Sequence, residues 1–382
     1  MVEFTQTICH WLLYKRIDKI KEIEKVEDTY MKQTQQDFLV KLLNTPSPSS
    51  MEMEIQKKWI EYVKPYADEI RTDNAGNAIG VLNPDADFKI LLAGHCDEIA
   101  LVVTRVDEQG FVYVDKMGGM NPKSAVGMKV TILGQGGTIT GVVGVNAQHH
   151  GGLKGDFGLD DLFIDCGAQS REEMEKYVQV GDLAVYKLEP EFLMDRYISG
   201  RGLDNRTGAY IVAEVLRKLS EKDLNVGVYA ASTVNEETNM GGAYFAAAGL
   251  EPTMAIACDV TFATDYPHVN KQKHGDVRLE KGPVLAKGAP INIKINRMLE
   301  NTAQSLNMDV QYELTPRMTG TDADKMRLTG RGVPISLVSL PLRYMHSPVE
   351  TVSIQDIDEE IELLVEMIAG MSGEESLNPL ED

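Results

Sequence analysis

The pattern of apolar and polar positions changes character along the chain. In residues 1–30, isoleucines and a valine recur at helical spacing among alternating Lys and Glu, which predicts an amphipathic N-terminal helical extension. A second helix is predicted over residues 32–43. Ser49 and Glu52 have the spacing of a capping box for a third helix. The apolar run 88–94 then predicts a buried strand that places His95 at its C-terminal end.

Glycine-rich segments with short alternating runs follow over residues 102–199 and predict a small inserted β-barrel or sandwich. Beyond it, helix and strand patterns alternate again, from a helix at 207–220 to a final helix that begins at residue 354. Such alternation favours an α/β fold with a doubly wound mixed sheet and helices on both faces. One α/β domain is therefore expected from residues 31–101 and 200–382, interrupted by the β-domain.

Composition and charge narrow the class of protein. The 382 residues include 38 basic and 58 acidic side chains, and the net charge of −20 argues against a general nucleic-acid binder. No apolar run approaches the ~20 residues of a membrane-spanning helix, and no secretory signal is recognisable. Four dispersed cysteines form neither a disulfide framework nor a zinc knuckle. A soluble, cytoplasmic protein is expected.

Metal-type ligands stand where predicted strands end or helices begin, in five segments: residues 94–98, 202–206, 235–237, 258–260 and 345–347. Each segment alone has an ordinary structural reading, such as a buried structural histidine, a solvated Glu pair or a helix N-cap. Together they offer two imidazoles and three or four carboxylates, which suit a pair of divalent ions bridged by one carboxylate.

Two spacings within these segments suggest roles beside the metal. Asp97 follows His95 by two residues and can accept the second imidazole N–H, which fixes the tautomer. Glu236 and Glu237 are adjacent at a strand end, so one can bind a metal while the other addresses a water. The spacing alone does not assign which glutamate does which.

Six motifs resemble, in the same order, those of the tetrahedral aminopeptidases, metallopeptidase family forty-two, which includes glutamyl and leucyl aminopeptidases: GHCDEIALVV, GRGLDNRTGAYIVAEVL, STVNEETNMGGA, AIACDVTFATDYP, TGTDADKM and RYMHSPVETVSIQDI. The resemblance runs from about Gln35 to the last helix and leaves residues 1–30 outside. It implies a zinc-exopeptidase-like fold. It also covers the insert, where IDCGAQSREEMEKYVQVGDLAVY is similar to that family's dimerisation domain.

The resemblance implies a role for each candidate residue. His95 and Asp259 would hold one ion, Glu237 and His346 would hold the other, Asp204 would bridge them, Glu236 would be the general base and Asp97 would orient His95. Asp322 falls in a segment that borders the active site in the family, without a defined role. The chain departs from the family's pattern at Cys96, Asn235 and residues 238–240. These departures bear on specificity more than on catalysis. Zn, Co or Mn suits such ligands.

The function implied is a binuclear metal-dependent aminopeptidase that acts on short peptides, with dimers that assemble into a hollow dodecamer. Two alternatives stay open. A deacylase of N-acylated amino acids would use the same two metals without a free substrate amine. A glycoside hydrolase would use two facing carboxylates but leaves His95, Asp204 and His346 unexplained. The preferred N-terminal residue is not predicted, because loops build that pocket.

Overall fold

A computed structural model of the protein describes residue 31, residues 33–153 and residues 155–381. The N-terminal extension predicted over residues 1–30 lies outside the described residues. Two compact units divide the chain, Met1–Asp37 and Phe38–Asp382. The second unit contains both sheets, the barrel and the candidate site described below.

A mixed eight-stranded sheet forms the centre of this unit. Its spatial order is β1, β2, β12, β3, β13, β16, β14 and β15, and the neighbours β12, β3, β13 and β16 are parallel. The strands are β1 (Glu69–Thr72), β2 (Ala78–Leu82), β3 (Lys89–His95), β12 (Gly227–Thr233), β13 (Met254–Phe262), β14 (Val284–Gly288), β15 (Gln311–Thr315) and β16 (Ile335–Leu342). β3, β12, β13 and β16 are buried almost throughout, as expected for parallel strands covered on both faces.

Eleven α-helices occur within the described residues: α1 (Gln33–Leu43), α2 (Met53–Val63), α3 (Pro122–Ala125), α4 (Arg171–Met174), α5 (Leu203–Leu219), α6 (Glu236–Asn239), α7 (Gly241–Leu250), α8 (Lys271–His274), α9 (Ile293–Leu306), α10 (Ala323–Met326) and α11 (Ile354–Ala369). α5 packs on β3, β12 and β13, and its residues are buried through most of its length. α11 packs on α5 and α9 through its apolar face. None of the described helices is long and apolar enough to cross a membrane.

Six strands close into a barrel in the order β4, β5, β8, β7, β6 and β9. They are β4 (Ala100–Val106), β5 (Val112–Met117), β6 (Lys129–Gly134), β7 (Gly137–Gly144), β8 (Phe163–Asp165) and β9 (Leu183–Tyr186). Closure gives the barrel its own apolar core, which includes Val112, Val130, Ile132 and Ile164. The barrel strands lie between Ala100 and Tyr186, whereas the domain boundaries at 102 and 199 stay predictions.

A third, smaller sheet joins distant parts of the chain. It consists of β10 (Glu191–Leu193), β11 (Tyr197–Gly200) and β17 (Glu350–Ser353), all antiparallel. The chain therefore leaves the barrel, pairs with a strand from its own C-terminal region and then enters α5.

The fold class predicted from the sequence is confirmed: an α/β fold with a mixed sheet, helices and a closed β-barrel. The capping box is wrong. Glu52 stands at the N-cap of α2 in helical conformation without a side-chain cap, and the Ser49 hydroxyl donates to Asp97 at 2.7 Å. A buried carboxylate accepts that hydroxyl, so it is no longer free to cap the helix.

Candidate active site

The candidate residues collect at the carboxyl edge of the parallel strands. His95 is the last residue of β3 and is in register with Thr233, the last residue of β12. Glu236 and Glu237 open α6 just beyond β12, and Asp259 lies in β13. Because parallel strands end at the same edge, three separated segments meet there.

Asp204 lies between the two histidines. One of its carboxylate oxygens is 3.4 Å from Nε2 of His95, and the other is 3.3 Å from Nε2 of His346. Oε2 of Glu236 is 3.6 Å from the same His95 nitrogen, and Oε2 of Glu237 is 3.7 Å from the same His346 nitrogen. One carboxylate thus faces both imidazoles, which is the arrangement that a bridging ligand requires.

The chain around Asp204 is fixed by its neighbour. Asn205 donates through its side-chain amide to the carbonyl of Cys258 at 2.8 Å and accepts the backbone N–H of Gly208 at 2.9 Å. These bonds connect the start of α5 to β13, the strand that carries Asp259. The two candidate ligands are therefore held relative to each other through the backbone.

Asp97 supports the two glutamates as well as His95. Its carboxylate accepts the backbone N–H groups of Glu236 and Glu237 at 2.9 and 3.2 Å, and the hydroxyl of Ser49 at 2.7 Å. Nδ1 of His95 lies 3.2 Å from the Asp97 carbonyl oxygen and 3.4 Å from its carboxylate. The predicted contact with His95 is present, and Asp97 also positions the turn that begins α6.

Two features on the His346 side were missed by sequence reasoning. The carboxylate of Glu350 accepts the backbone N–H of His346 at 2.8 Å and that of Asp204 at 3.1 Å. Nδ1 of His346 is 2.8 Å from the carbonyl oxygen of Gly119, which follows barrel strand β5. The spacing of Glu350 four residues after His346 was visible in the sequence, whereas the contact with Gly119 had no local signal.

Burial dominates the electrostatics of the carboxylates. It raises the pKa of Glu236 to about 9, and it raises the pKa of Glu237 and of Asp259 well above the ordinary values, with other carboxylates nearby adding to the effect. Burial acts in the same direction on Asp204, but hydrogen bonds and charge from His346 and His95 outweigh it and lower that pKa. The cluster carries more buried acid than its two imidazoles neutralise.

This surplus fits divalent cations. Two groups of three residues each offer ligand atoms that lie within 4.8 Å of one another. The first group is His95, Asp204 and Glu237, and the second is His95, Glu236 and Asp259. Oε1 of Glu237 is buried and has no hydrogen-bond donor among the described residues. Buried carboxylates without donors are stabilised by coordination, and a mixed N/O set suits borderline metals.

The structure brings together all the predicted ligands, the predicted base and Asp97. They surround or support a cavity of about 320 Å³ whose lining also includes Thr261, Glu313 and Leu337. Asp322 lies behind the site: one oxygen accepts the hydroxyl of Thr233, and the other has no donor within the described part of the chain. The individual roles of these residues stay predictions, because each of the two glutamates is near enough to an imidazole, that of His95 or that of His346, to share a metal ion with it.

The chain is similar in sequence and in structure to known aminopeptidases. The chain is similar to the lysyl aminopeptidase of Pyrococcus furiosus, with 31% identity over 90% of this chain and 98% of that protein. Its structure is similar to the TET aminopeptidase of a marine-sediment Thaumarchaeota archaeon, with a TM-score of 0.84, 27% identity, and coverage of 88% of this chain and 96% of that chain. The TET1 peptidase of Pyrococcus horikoshii, which can assemble into a tetrahedron or a large octahedral shell, gives a TM-score of 0.78 at 29% identity, covering 88% and 100%.

Fold, site and relatives together define a peptide hydrolase of the aminopeptidase class. The chain belongs to the M42 glutamyl aminopeptidase family, whose model matches residues 76–363.

Proposed function

We propose that this protein is a metal-dependent aminopeptidase that removes N-terminal residues from short peptides. The observation that carries the proposal is the position of Asp204 between His95 and His346, with one oxygen 3.4 Å and the other 3.3 Å from an imidazole nitrogen. A carboxylate shared by two imidazoles, with further carboxylates on both sides, supports a two-ion hydrolytic site.

Five residues would hold the two ions: His95 and Asp259 on one, Glu237 and His346 on the other, and Asp204 on both. Zn, Co or Mn is compatible with these ligands. Bound there, the ions would supply positive charge for the scissile carbonyl and lower the pKa of a water molecule.

Glu236 is the general base in this proposal. Its carboxylate faces the cavity beside His95, and its backbone N–H is fixed by Asp97 at 2.9 Å. A base held in this position takes a proton from the attacking water and returns it to the nitrogen of the leaving amine. Asp97 contributes by orienting both the imidazole and this glutamate.

The acidic cavity favours a free N-terminus. A free α-amino group can donate hydrogen bonds to the carboxylates that line the cavity and has a lone pair that an ion could accept, whereas the nitrogen of an acylated residue has no available lone pair. This distinction separates an aminopeptidase from the deacylase alternative.

A substrate panel tests the proposal directly. Chelator-treated protein is assayed on aminoacyl chromogenic substrates, free and N-acetylated, with Zn, Co or Mn added back. We expect cleavage of free substrates only, restored by metal. Full activity in strong chelator would refute metal dependence, and faster cleavage of the acetylated series would favour the deacylase.

Two matched variants test the roles of the neighbouring glutamates. Glu236→Gln keeps the shape of the side chain but removes the proton acceptor, so turnover should fall by about 10² to 10⁴ with bound metal unchanged. Glu237→Gln should weaken one ion, and excess metal should partly restore turnover. If Glu236→Gln loses metal while Glu237→Gln retains both ions, the two roles are exchanged.

We also propose that the chain self-associates through the barrel, as dimers that build a dodecamer. The basis is the similarity to a TET peptidase that assembles into closed shells. A closed shell would restrict substrates to short or unfolded peptides.

We further propose a cytoplasmic location. Cys96, Cys166 and Cys258 are free thiols in the described part of the chain, as is usual in reducing compartments. Fractionation of the source cells tests this location, and recovery of the protein outside the cytoplasm would contradict it.

A further inference from the structure

We propose that Glu313 selects substrates whose N-terminal residue is lysine or arginine, by pairing its carboxylate with the cationic side chain. The inference rests on the proposed function and names its substrate class. Glu313 lines the same cavity as His95, Asp204 and Glu236.

The backbone of Glu313 lies on the outermost strand of the sheet, yet its side chain reaches back towards the catalytic edge. It belongs to β15, separated from β13 by β14 and β16. Its two carboxylate oxygens accept hydroxyl hydrogen bonds from Thr261 of β13 at 2.6 Å and from Ser339 of β16 at 2.9 Å. These two bonds fix the carboxylate against the strands that form the site.

Both hydroxyl donors are close in register to Asp259. Ser339 is the residue paired with Asp259 across β13 and β16, and Thr261 is two residues further along β13. Residues two apart on a strand share a face and are separated by roughly 6.6 Å. The Glu313 carboxylate is therefore held against the segment of β13 that carries the predicted metal ligand Asp259, in the cavity that would receive the N-terminal residue of the substrate.

The charge of Glu313 has no cationic neighbour. Among the described residues it forms no ion pair, and its hydrogen-bonding side-chain neighbours are the two hydroxyls. Burial raises the pKa of this carboxyl, while the hydroxyls of Thr261 and Ser339 lower it. A half-buried carboxylate that lacks a cation gains from one that arrives with the substrate.

The cavity also has apolar surface that suits a long aliphatic stem. Leu337 lines the cavity and is two residues before Ser339 on β16, so it lies on the same face of the sheet as the hydroxyl that binds Glu313. Lysine and arginine bury their methylene groups on apolar surface and keep the charged head on a polar partner. A cavity lined both by carboxylates and by apolar side chains such as Leu337 offers partners for an α-amino group, a methylene stem and a terminal cation.

The test compares aminoacyl-coumarin substrates carrying lysine, arginine, norleucine or glutamate on the metal-loaded enzyme. Norleucine matches the lysine stem without its charge. We expect the wild type to prefer lysine and arginine over norleucine in kcat/KM by at least about tenfold. In Glu313→Gln this ratio should fall at least tenfold, mainly through KM for the cationic substrates. Glu362→Gln, which removes an exposed carboxylate from α11, is the control and should keep the wild-type ratio.

The outcomes separate this inference from the proposed function. A purely structural role of Glu313 would lower kcat/KM for all substrates alike and leave the ratio unmoved, which would overturn the inference. A wild type that cleaves norleucine as well as lysine would also overturn it while leaving the aminopeptidase proposal intact. Glu313→Asp, which keeps the charge, should restore part of the ratio; if it behaves like Glu313→Gln, charge is not the selecting property. Failure of every free aminoacyl substrate would instead refute the proposed function.

Discussion

Glu350 shows how one buried side chain can order two others. It is 2% exposed, and its two oxygens each accept one backbone N–H, from Asp204 and from His346. Asp204 and His346 are 142 positions apart in the sequence. A carboxylate presents an acceptor oxygen to each of the two N–H groups, whereas an amide presents one oxygen and one NH2 group, which can only donate.

We therefore expect Glu350→Gln to weaken metal binding. One of the two backbone N–H groups would lose its acceptor, so the spacing of Asp204 and His346 would relax. Loss of such outer-layer support costs about 10- to 100-fold in metal affinity. Equilibrium dialysis with Zn²⁺ measures it, with the exposed Glu374→Gln as the control. Equal affinity in Glu350→Gln and wild type would contradict the prediction.

At this scale the sequence predicted which side chains meet and that Asp97 supports His95, but it did not predict the other supporting contacts. His95, Asp204 and Asp259 stand in motifs beside strand ends or helix starts, and their chemistry is visible in the residue types. The support from Glu350 and Gly119 depends on the path of loops between elements, which residue pattern does not encode. Ser49 illustrates the same limit, because a tertiary bond to Asp97 replaced its expected local one.

Among the elements, β3 and α5 approach unusually closely. A Cβ at Gly94 would overlap the backbone of Gly208, and a Cβ at Gly208 would overlap the Cys258 carbonyl and the Asn205 side chain. Two glycines therefore allow the helix that carries Asp204 to lie directly on the strand that ends at His95.

Gly208→Ala should destabilise the protein by about 1–3 kcal/mol, because the backbone must shift to accept the methyl group. Gly249→Ala is the matched control: it lies near the end of α7, with open space around the position. That change should stabilise by about 0.5–1 kcal/mol through helix propensity. Denaturant unfolding at one protein concentration compares them, and equal effects of the two substitutions would be evidence against the close approach.

α11 carries a carboxyl whose titration should be visible in stability. Burial raises the pKa of Asp358 from 3.8 to about 7, with Glu214, Glu359 and Glu362 adding to the shift and Lys218 opposing it. Between these two values the folded state holds a proton that the unfolded state releases, so this group makes stability fall as pH rises.

Asp358→Asn should remove that dependence. Near pH 4 the variant should match the wild type, and at pH 8 it should be more stable by about 1–2 kcal/mol, since a buried charge is gone. Denaturant unfolding at the two pH values measures the difference, with Glu374→Gln as the control. A gain of the same size at both pH values would show that titration of Asp358 is not the cause.

Strands with a strong local sequence pattern were predicted, and strands without one were missed. The strand ending at His95 was predicted from its apolar run, and the barrel strands from short alternating runs between glycines. β14 and β17 were not predicted, because each takes its strand form from pairing with a distant part of the chain. Barrel closure is likewise a non-local property, since it depends on register across six strands.

For the whole molecule, the proposed assembly gives a further prediction. Val180 lies between α4 and β9 on the barrel and is 71% exposed, so its apolar side chain is available for a contact between subunits. Val180→Asp should weaken self-association, so light scattering should give a lower mass at micromolar concentration. Leu328→Asp, at a position 67% exposed beside α10, is the matched control.

The wild type should scatter as a species far above the 42.3 kDa monomer. An active wild type that is strictly monomeric would rule out the assembly. If Leu328→Asp dissociates and Val180→Asp does not, the contact lies outside the barrel.

The bond between His346 and the Gly119 carbonyl connects the loop after barrel strand β5 to the candidate active site. A Cβ at position 119 would overlap the imidazole of His346, so the position of the loop constrains the position of the ring. Whatever holds that loop in place also selects the orientation of the ring that would bind a metal ion in the proposed site, and a coupling free energy is the same in both directions. If the proposed assembly through the barrel orders that loop, metal loading and subunit association should favour each other, and metal removal should shift the assembly towards smaller species.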